Sequence, residues 1–304
     1  MRGQPRPNAA TRIVDRLKLH RRRLRLDGHD YTVVTLRPGT DVRFSTNLYH
    51  ETWHVLSDWR GARLLGRLLW GLSYQRVPGT LVLIDRPFLD PNPFDAEPAD
   101  PIAIVPALLT PLGTRAAGEL RRRQPLRGPA DGTVRWHTPG YDVAVAARHA
   151  RLDRPASHGR EPYVPPSGFQ ERVARIGGLV TLAAVPSALR EYATYIGTLG
   201  DWSADGVSYA DVDCPHGEVQ VFRDYRRRVS AARVARREIL AEHPRTPTPH
   251  TLRPLIWDRG TAVRHRRWPP PPVAPPPAPA TASRWPTATP YGRAPRDEVT
   301  DPAA

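Results

Sequence analysis

Apolar side chains recur along this chain in two spacings, and together they predict both strands and helices. Alternating apolar and polar residues at Tyr31–Leu36 predict a strand, and Thr80–Asp85 is a short apolar run preceded by a Pro-Gly turn. Between them, apolar residues three and four positions apart from Val55 to Leu72 predict one face of a long amphipathic helix. The order strand, helix, strand favours an α/β unit, or an α+β unit if residues 31–44 form a hairpin.

The second half of the chain repeats this rhythm. Apolar runs predict strands at Leu179–Val185 and Glu218–Phe222, and a helical pattern follows each of them, beginning at Pro186 and at Tyr225. The pattern as a whole predicts an α/β or α+β core, with a mixed sheet and packed helices. Shorter patterns predict a strand at Ile102–Val105, helices at Thr114–Arg123 and Phe169–Ile176, and a hairpin of Thr133–His137 with Tyr141–Ala147.

Composition divides the chain into five segments. They are a basic flexible arm at 1–29, an α/β subdomain at 30–147, a Pro-rich linker at 148–166, an α/β subdomain with an Arg-rich helix at 167–243, and a Pro-rich tail at 244–304. Eight of the twelve residues that start at Pro269 are proline, which favours extended polyproline II structure and cannot build a core. We therefore expect the arm and the tail to be disordered.

The chain is strongly basic, with 45 Lys and Arg against 30 Asp and Glu and a formal net charge of +15. Only Lys18 is a lysine, and such a preference for arginine is typical of a GC-rich coding genome, so basicity alone is a weak indicator of function. The single cysteine, Cys214, excludes an internal disulfide framework and a Cys-rich zinc module. With no visible secretory signal and no apolar run of 18 residues, we expect a cytoplasmic protein without a membrane span.

One pentapeptide combines residue types, spacing and predicted structure that suggest chemistry. Residues 50–54 have the form H-E-x-x-H and lie inside the first predicted helix, where Ser45 or Thr46 would be the N-cap. Residues four apart on a helix lie one above the other, so His50 and His54 would direct two imidazoles at one ion. Glu51 would lie beside them as a general base for a metal-bound water.

This pentapeptide resembles the shared motif of the zincin metallopeptidases. The resemblance implies zinc as a cofactor, with His50 and His54 as ligands and Glu51 as the base. It covers five residues of the chain. Metzincins, a branch of that class, have a glycine and a third histidine at the positions where this chain has Ser57 and Arg60.

A third zinc ligand would have to be a carboxylate. No glutamate lies between Glu51 and Glu97, and Asp58 would be about 12 Å from His50 along a straight helix. Asp85 ends a predicted strand, a common place for a ligand, and is the candidate. The alternative is a helix whose two histidines pack at the edge of the core without a metal.

Arginine-rich stretches suggest a second kind of site. The candidates for phosphate contacts with nucleic acid, or for contacts with an acidic protein, are Arg21, Arg22 and Arg23 in the arm and Arg226, Arg227, Arg233 and Arg237 on the predicted helix at 225–242. The stretch Arg264–Trp268 is basic and aromatic, which is compatible with anion or single-strand contacts. The alternative is that these are solvated, charged surfaces.

Three functions from different classes follow. The working hypothesis is a zinc-dependent, peptidase-like hydrolase. The alternatives are a nucleic-acid-associated protein and a non-catalytic interaction or scaffold protein, whose Pro-rich tail would dock into a partner that binds such motifs. No P-loop, dinucleotide-binding glycine loop or G-x-S-x-G nucleophile motif is present in the sequence. The patterns leave open whether the protein is an enzyme.

Overall fold

A computed structural model describes residues 17–152, 171–201, 207–243 and 248–269 of the 304-residue chain. The strands are β1 (Lys18–Leu26), β2 (His29–Thr35), β3 (Phe44–Tyr49), β4 (Thr52–Ser57), β5 (Thr80–Ile84), β6 (Ile102–Pro106), β7 (Gly132–Arg135), β8 (Glu171–Ile176), β9 (Leu179–Ala184), β10 (Val207–Asp211) and β11 (Gly217–Phe222). The helices are α1 (Trp59–Leu72), α2 (Thr114–Arg122), α3 (Tyr141–Leu152), α4 (Pro186–Gly197), α5 (Tyr225–Glu242) and α6 (Pro249–Arg267).

The larger sheet has seven strands in the order β7-β1-β2-β5-β6-β9-β8. The pairs β2–β5 and β6–β9 are parallel and the other four pairs are antiparallel, so the sheet is mixed. Alternate residues of β5 point to opposite faces: Val82 and Ile84 pack with α1 and α4, whereas Leu81 and Leu83 pack with α2. The prediction of a mixed sheet with packed helices is confirmed.

The smaller sheet has four strands in the order β10-β11-β4-β3. Its inner face, with Val55 and Val219, belongs to the same apolar core as α1 and α4. Its outer face carries Leu56 and Phe222, which pack against Tyr225 at the start of α5. Helix α6 lies against α5, and the two form a helix pair on the outer side of the sheet.

Both sheets combine strands from the two halves of the chain. β8 and β9 complete the larger sheet, and β11 pairs in parallel with β4 in the smaller one. The predicted division into subdomains at 30–147 and 167–243 therefore does not match the topology, because strands from the two ranges pair with each other in both sheets. Residues 148–152 of the predicted linker are the last part of α3, and residues 153–166 lie outside the described residues.

The predicted flexible ends contain regular structure. β1 lies inside the predicted arm, where its backbone pairs with β2 on one side and β7 on the other. α6 lies inside the predicted tail, where Thr248 caps it and Leu252 and Ile256 pack against α5. The apolar patterns of β1 and α6 were difficult to identify in the sequence, because both segments are highly charged and lie near prolines. Residues 1–16, 244–247 and 270–304, including most of the Pro-rich stretch, lie outside the described residues.

Two short predictions are also wrong. Glu171–Ile176 is a strand rather than a helix, because Gly177 and Gly178 adopt positive φ and turn the chain into a hairpin with β9. Tyr141–Leu152 is a helix rather than the second strand of a hairpin, and β7 pairs with β1 instead. Periodicity over so few residues does not separate the two kinds of element. Among the described helices, none is long and apolar enough to cross a bilayer.

Candidate functional site

The H-E-x-x-H motif lies at the turn of a β-hairpin. β3 ends at Tyr49, β4 begins at Thr52, and these two residues pair directly, so His50 and Glu51 are the two turn residues. Their φ angles are 47° and 65°, the left-handed conformation that a tight two-residue hairpin turn requires. The prediction that this motif lies on a helix is wrong.

The helix begins only after the motif. Asp58 is its N-cap, and the Asp58 carboxylate accepts hydrogen bonds from the backbone N–H groups of Arg60 and Gly61 at 3.0 and 2.9 Å. In α1 the buried apolar residues keep the predicted helical spacing from Ala62 onward. The backward extension of this spacing to the histidines does not hold, because Thr52–Ser57 is a strand, in which His54 is the first of four consecutive buried residues.

The hairpin separates the two histidines of the motif. His50 is exposed in the turn and packs its ring against Tyr49, whereas His54 lies two residues into β4, roughly 7 Å along the strand from Thr52. Only 7% of His54 is exposed. Its neighbour is Glu218 on β11, since Nε2 of His54 lies 3.7 Å from Oε2 of Glu218.

Glu218 is the residue near the motif that sequence reasoning missed. It lies directly opposite His54 in the parallel β4–β11 pair and accepts a hydrogen bond from the Gln220 amide at 2.7 Å. Burial alone would raise the pKa of Glu218, but the interactions with His54 and Gln220 outweigh burial, so the pKa is lowered. His54 and Glu218 are 164 positions apart, and no sequence signal joins them.

Asp85, the candidate third ligand, belongs to a different part of the molecule. It follows β5 in the larger sheet, is 6% exposed, and has one carboxylate oxygen without a hydrogen-bond partner. Burial raises the pKa of Asp85, whereas a backbone hydrogen bond and the charge of Arg22 act in the opposite direction and do not outweigh it. Within the described ranges, no three His, Cys, Asp or Glu side chains are grouped so as to hold a metal ion. His50, His54 and Asp85 therefore do not fit one zinc ion.

The arginines predicted in the arm lie on β1. The Nη1 atom of Arg22 donates to the carbonyl oxygens of Gly128 and Pro129 at 2.6 and 2.9 Å, which fastens the loop before β7 to the sheet. Arg21 is half-buried and Arg23 is exposed. These arginines share one strand but point alternately to its two faces, so they do not form a single basic surface.

The arginines predicted on α5 divide into two groups. Arg226 donates to Asp41 at 2.6 Å and Arg233 donates to Asp90 at 3.0 Å, so both attach the helix to the rest of the molecule. The guanidinium of Arg227 lies 5.8 Å from the centre of the Trp268 ring. Arg237 is exposed and makes no ion pair with another described residue. Arg227 and Arg237 are therefore the two of this set that face solvent without a carboxylate partner in the part of the chain that the structure describes.

The start of α5 meets the end of α6, and this junction concentrates positive charge. Asp224 accepts a hydrogen bond from Nε of Arg228 at 2.6 Å, and its other oxygen lies 3.9 Å from Nη1 of Arg264. Two guanidinium groups thus share one carboxylate. Burial lowers the pKa of Arg264, repulsion from Arg228 lowers it further, and Asp224 compensates only in part.

A shallow cleft opens beside this junction, between α5, α6 and the loop at 93–94. It is lined by Arg228 and Arg264, by the aromatic residues Trp257 and Phe94, and by the small residues Ala231, Ala232, Gly260 and Thr261. Its volume is about 10 Å³, which is room for about one water molecule. Sequence reasoning named the stretch that holds Arg264 and Trp268, but it missed Arg228, Trp257 and Phe94.

No protein-family model, curated protein or solved structure matches this chain. The residues at the α5–α6 junction and their contacts are therefore the basis for a functional assignment.

Proposed function

We propose that this protein binds nucleic acid through the arginine-rich surface of the α5–α6 pair. The two helices contain eleven arginines against three carboxylates, Glu238, Glu242 and Asp258, so they carry a net charge of +8 out of +15 for the whole chain. A surface that concentrates charge in this way attracts the phosphate backbone of nucleic acid without reference to its sequence.

The shared carboxylate of Asp224 is the observation that carries the proposal. Arg228 and Arg264 both turn towards it, and each guanidinium has more N–H donors than one carboxylate can accept. The lowered pKa of Arg264 reflects positive charge that is buried and only partly compensated. A phosphate group would supply the missing negative charge and further acceptors, and arginine binds phosphate with two parallel hydrogen bonds.

Exposed arginines extend the charge beyond the cleft. Arg266 and Arg267 end α6 next to Trp268, and neither makes an ion pair with another described residue. Arg227 lies beside Trp268, on the first turn of α5. These side chains would contact neighbouring phosphates along a strand, whereas Arg226 and Arg233 are already held by carboxylates.

The hydrolase hypothesis receives less support from the geometry, because the hairpin separates His50 from His54 and Asp85 belongs to the other sheet. The scaffold hypothesis depends on the Pro-rich tail, most of which lies outside the described residues. Nucleic-acid binding is the function for which the described residues provide both charge and an open surface.

The test is a titration of a fluorescent oligonucleotide at several salt concentrations, with the wild type and an Arg228→Gln/Arg264→Gln double variant. We expect salt-dependent binding by the wild type, and a loss of roughly tenfold or more in the variant, with its salt slope reduced by about two because two phosphate contacts are removed. Arg115→Gln is the matched control, since Arg115 is exposed on α2 without an ion pair among the described residues. Absence of binding at low salt, or equal loss in the control, would overturn the proposal.

A further inference from the structure

The aromatic residues of α6 form a stripe together with its arginines. Trp257, Arg264 and Trp268 are separated by seven and four positions, so they lie on one side of the helix. Trp257 and Trp268 are eleven positions apart, which is about three turns and roughly 16 Å along the axis. A charged group therefore lies between two flat aromatic rings on the same surface.

Each tryptophan of the stripe is paired with a guanidinium. Arg264 lies 5.9 Å from the centre of the Trp257 ring, and Arg227 lies 5.8 Å from the centre of the Trp268 ring. Trp257 is 41% exposed, and its ring also packs against Phe94, with ring centres 5.2 Å apart. An exposed ring that is held in place by its neighbours is suited to stack against a planar ligand.

Small residues line the cleft beside Trp257. Ala232 and Gly260 are at the point where α5 and α6 approach each other, and the nearest Ala232 and Ala235 atoms would lie 3.8–4.0 Å from a Cβ built at Gly260. The cleft beside them, about 10 Å³ in volume, is too small to enclose a base, but aromatic carbon and two guanidinium groups, those of Arg228 and Arg264, meet at its lining. A flat ring that carries a phosphate would therefore lie across its rim, on the exposed part of Trp257.

We infer that this surface binds an unpaired base of single-stranded nucleic acid, which stacks on the exposed part of Trp257 while Arg228 and Arg264 bind the adjacent phosphate. The inference rests on the proposed function and adds to it a preference for single strands. In a duplex the bases are stacked on one another and only their edges are accessible, so a duplex would contact the arginines but not the ring of Trp257.

The experiment compares one oligonucleotide, as a single strand and as a duplex with its complement, at the same salt concentration. We expect the wild-type protein to bind the single strand more tightly. Trp257→Ala should weaken single-strand binding about tenfold, the effect of losing one stacked base, and leave duplex binding unchanged. Trp257→Phe should retain most of the preference, because it keeps an aromatic face and the packing with Phe94.

Tyr74→Ala is the matched control, since Tyr74 is also exposed and paired with a guanidinium, that of Arg190, but lies just after α1. It should leave both affinities unchanged. The inference would be overturned if the wild type bound single strand and duplex equally, or if Trp257→Ala weakened both equally. It would also be overturned if heparin bound as tightly as the single strand. In each of these cases binding to nucleic acid or to polyanions in general would still stand. Absence of salt-dependent binding to either form would overturn the proposed function as well.

Discussion

In the β3–β4 hairpin, the polar residues of the motif are used to build the fold, whereas in the α5–α6 pair the positive charge exceeds the carboxylates that could balance it. His50 and Glu51 form the turn, and His54 is placed beside Glu218. At the helix junction, Arg228 and Arg264 have only Asp224 between them. The first region has the more familiar motif, and the second has the larger excess of positive charge.

The comparison shows that a short motif indicates chemistry only on the secondary structure that gives its spacing a meaning. Four residues span one turn of a helix but roughly 13 Å of a strand. An arginine surface has no such requirement, since phosphates are attracted wherever uncompensated charge reaches solvent. Variants of each region are the direct way to compare them.

The largest effect is expected from the buried histidine of the hairpin. His54→Ala would leave a cavity and a partly buried Glu218 without its partner, and should lower the free energy of unfolding by about 2–3 kcal/mol. His50→Ala should lower it by about 1 kcal/mol or less, because His50 is exposed and only its contact with Tyr49 and its tolerance of positive φ are lost. Urea denaturation measures both. Similar losses in the two variants would indicate a shared role and contradict the separation of the two rings.

The next effect concerns the shared carboxylate at the helix junction. Asp224→Asn should lower stability by about 1 kcal/mol, because Arg228 and Arg264 then repel each other without compensation. The same change should tighten oligonucleotide binding by about fivefold, since a phosphate would replace the lost negative charge. Denaturation of one preparation tests the expected loss of stability, and titration of the same preparation tests the expected gain in affinity. Weaker binding by a folded Asp224→Asn protein would show that Asp224 positions the ligand rather than competes with it.

A smaller effect of opposite sign is expected at the hairpin turn. Replacing His50-Glu51 by Asn-Gly should raise the free energy of unfolding by roughly 0.5–1 kcal/mol, because both positions have positive φ and this pair is the one that such turns favour. The zinc hypothesis makes a different prediction, namely that this variant would lose bound metal. Denaturation and elemental analysis of the same protein distinguish them, and destabilisation would contradict the turn assignment.

The smallest effect is expected in the dependence of the free energy of unfolding on pH in the acid range. The pKa of Glu218 is lowered on folding, so its contribution is present above its unfolded value, near 4.5, and is lost as the pH falls through the lower folded value. Glu218→Gln should therefore make stability less dependent on pH below about 4.5. Gln220→Ala, which removes only the amide donor, should show part of this change. If the pH dependence of stability below about 4.5 were the same in Glu218→Gln as in the wild type, Glu218 would not be the group responsible for it.

Local pattern was sufficient for elements whose burial is continuous or strongly periodic. β5 and β6 are buried along their whole length, and α4 and α5 keep one apolar stripe, so each could be predicted without knowledge of its neighbours. The excess of arginine over carboxylate is likewise a property of the sequence alone. β1 and α6 could not be predicted in this way, because their burial depends on neighbouring strands and helices that the composition of the segment does not show.

The tertiary structure decided which charged residues form ion pairs within the fold and which remain exposed without a carboxylate partner among the described residues. Arg226 and Arg233 are held by Asp41 and Asp90, which are 185 and 143 positions away, and no local rule separates them from Arg227 or Arg237. The same is true of His54 and Glu218, which meet only because β4 and β11 are neighbours in the smaller sheet. Spacing along the chain sets which residues can share a face, but only the packing of distant segments sets which charges neutralise one another.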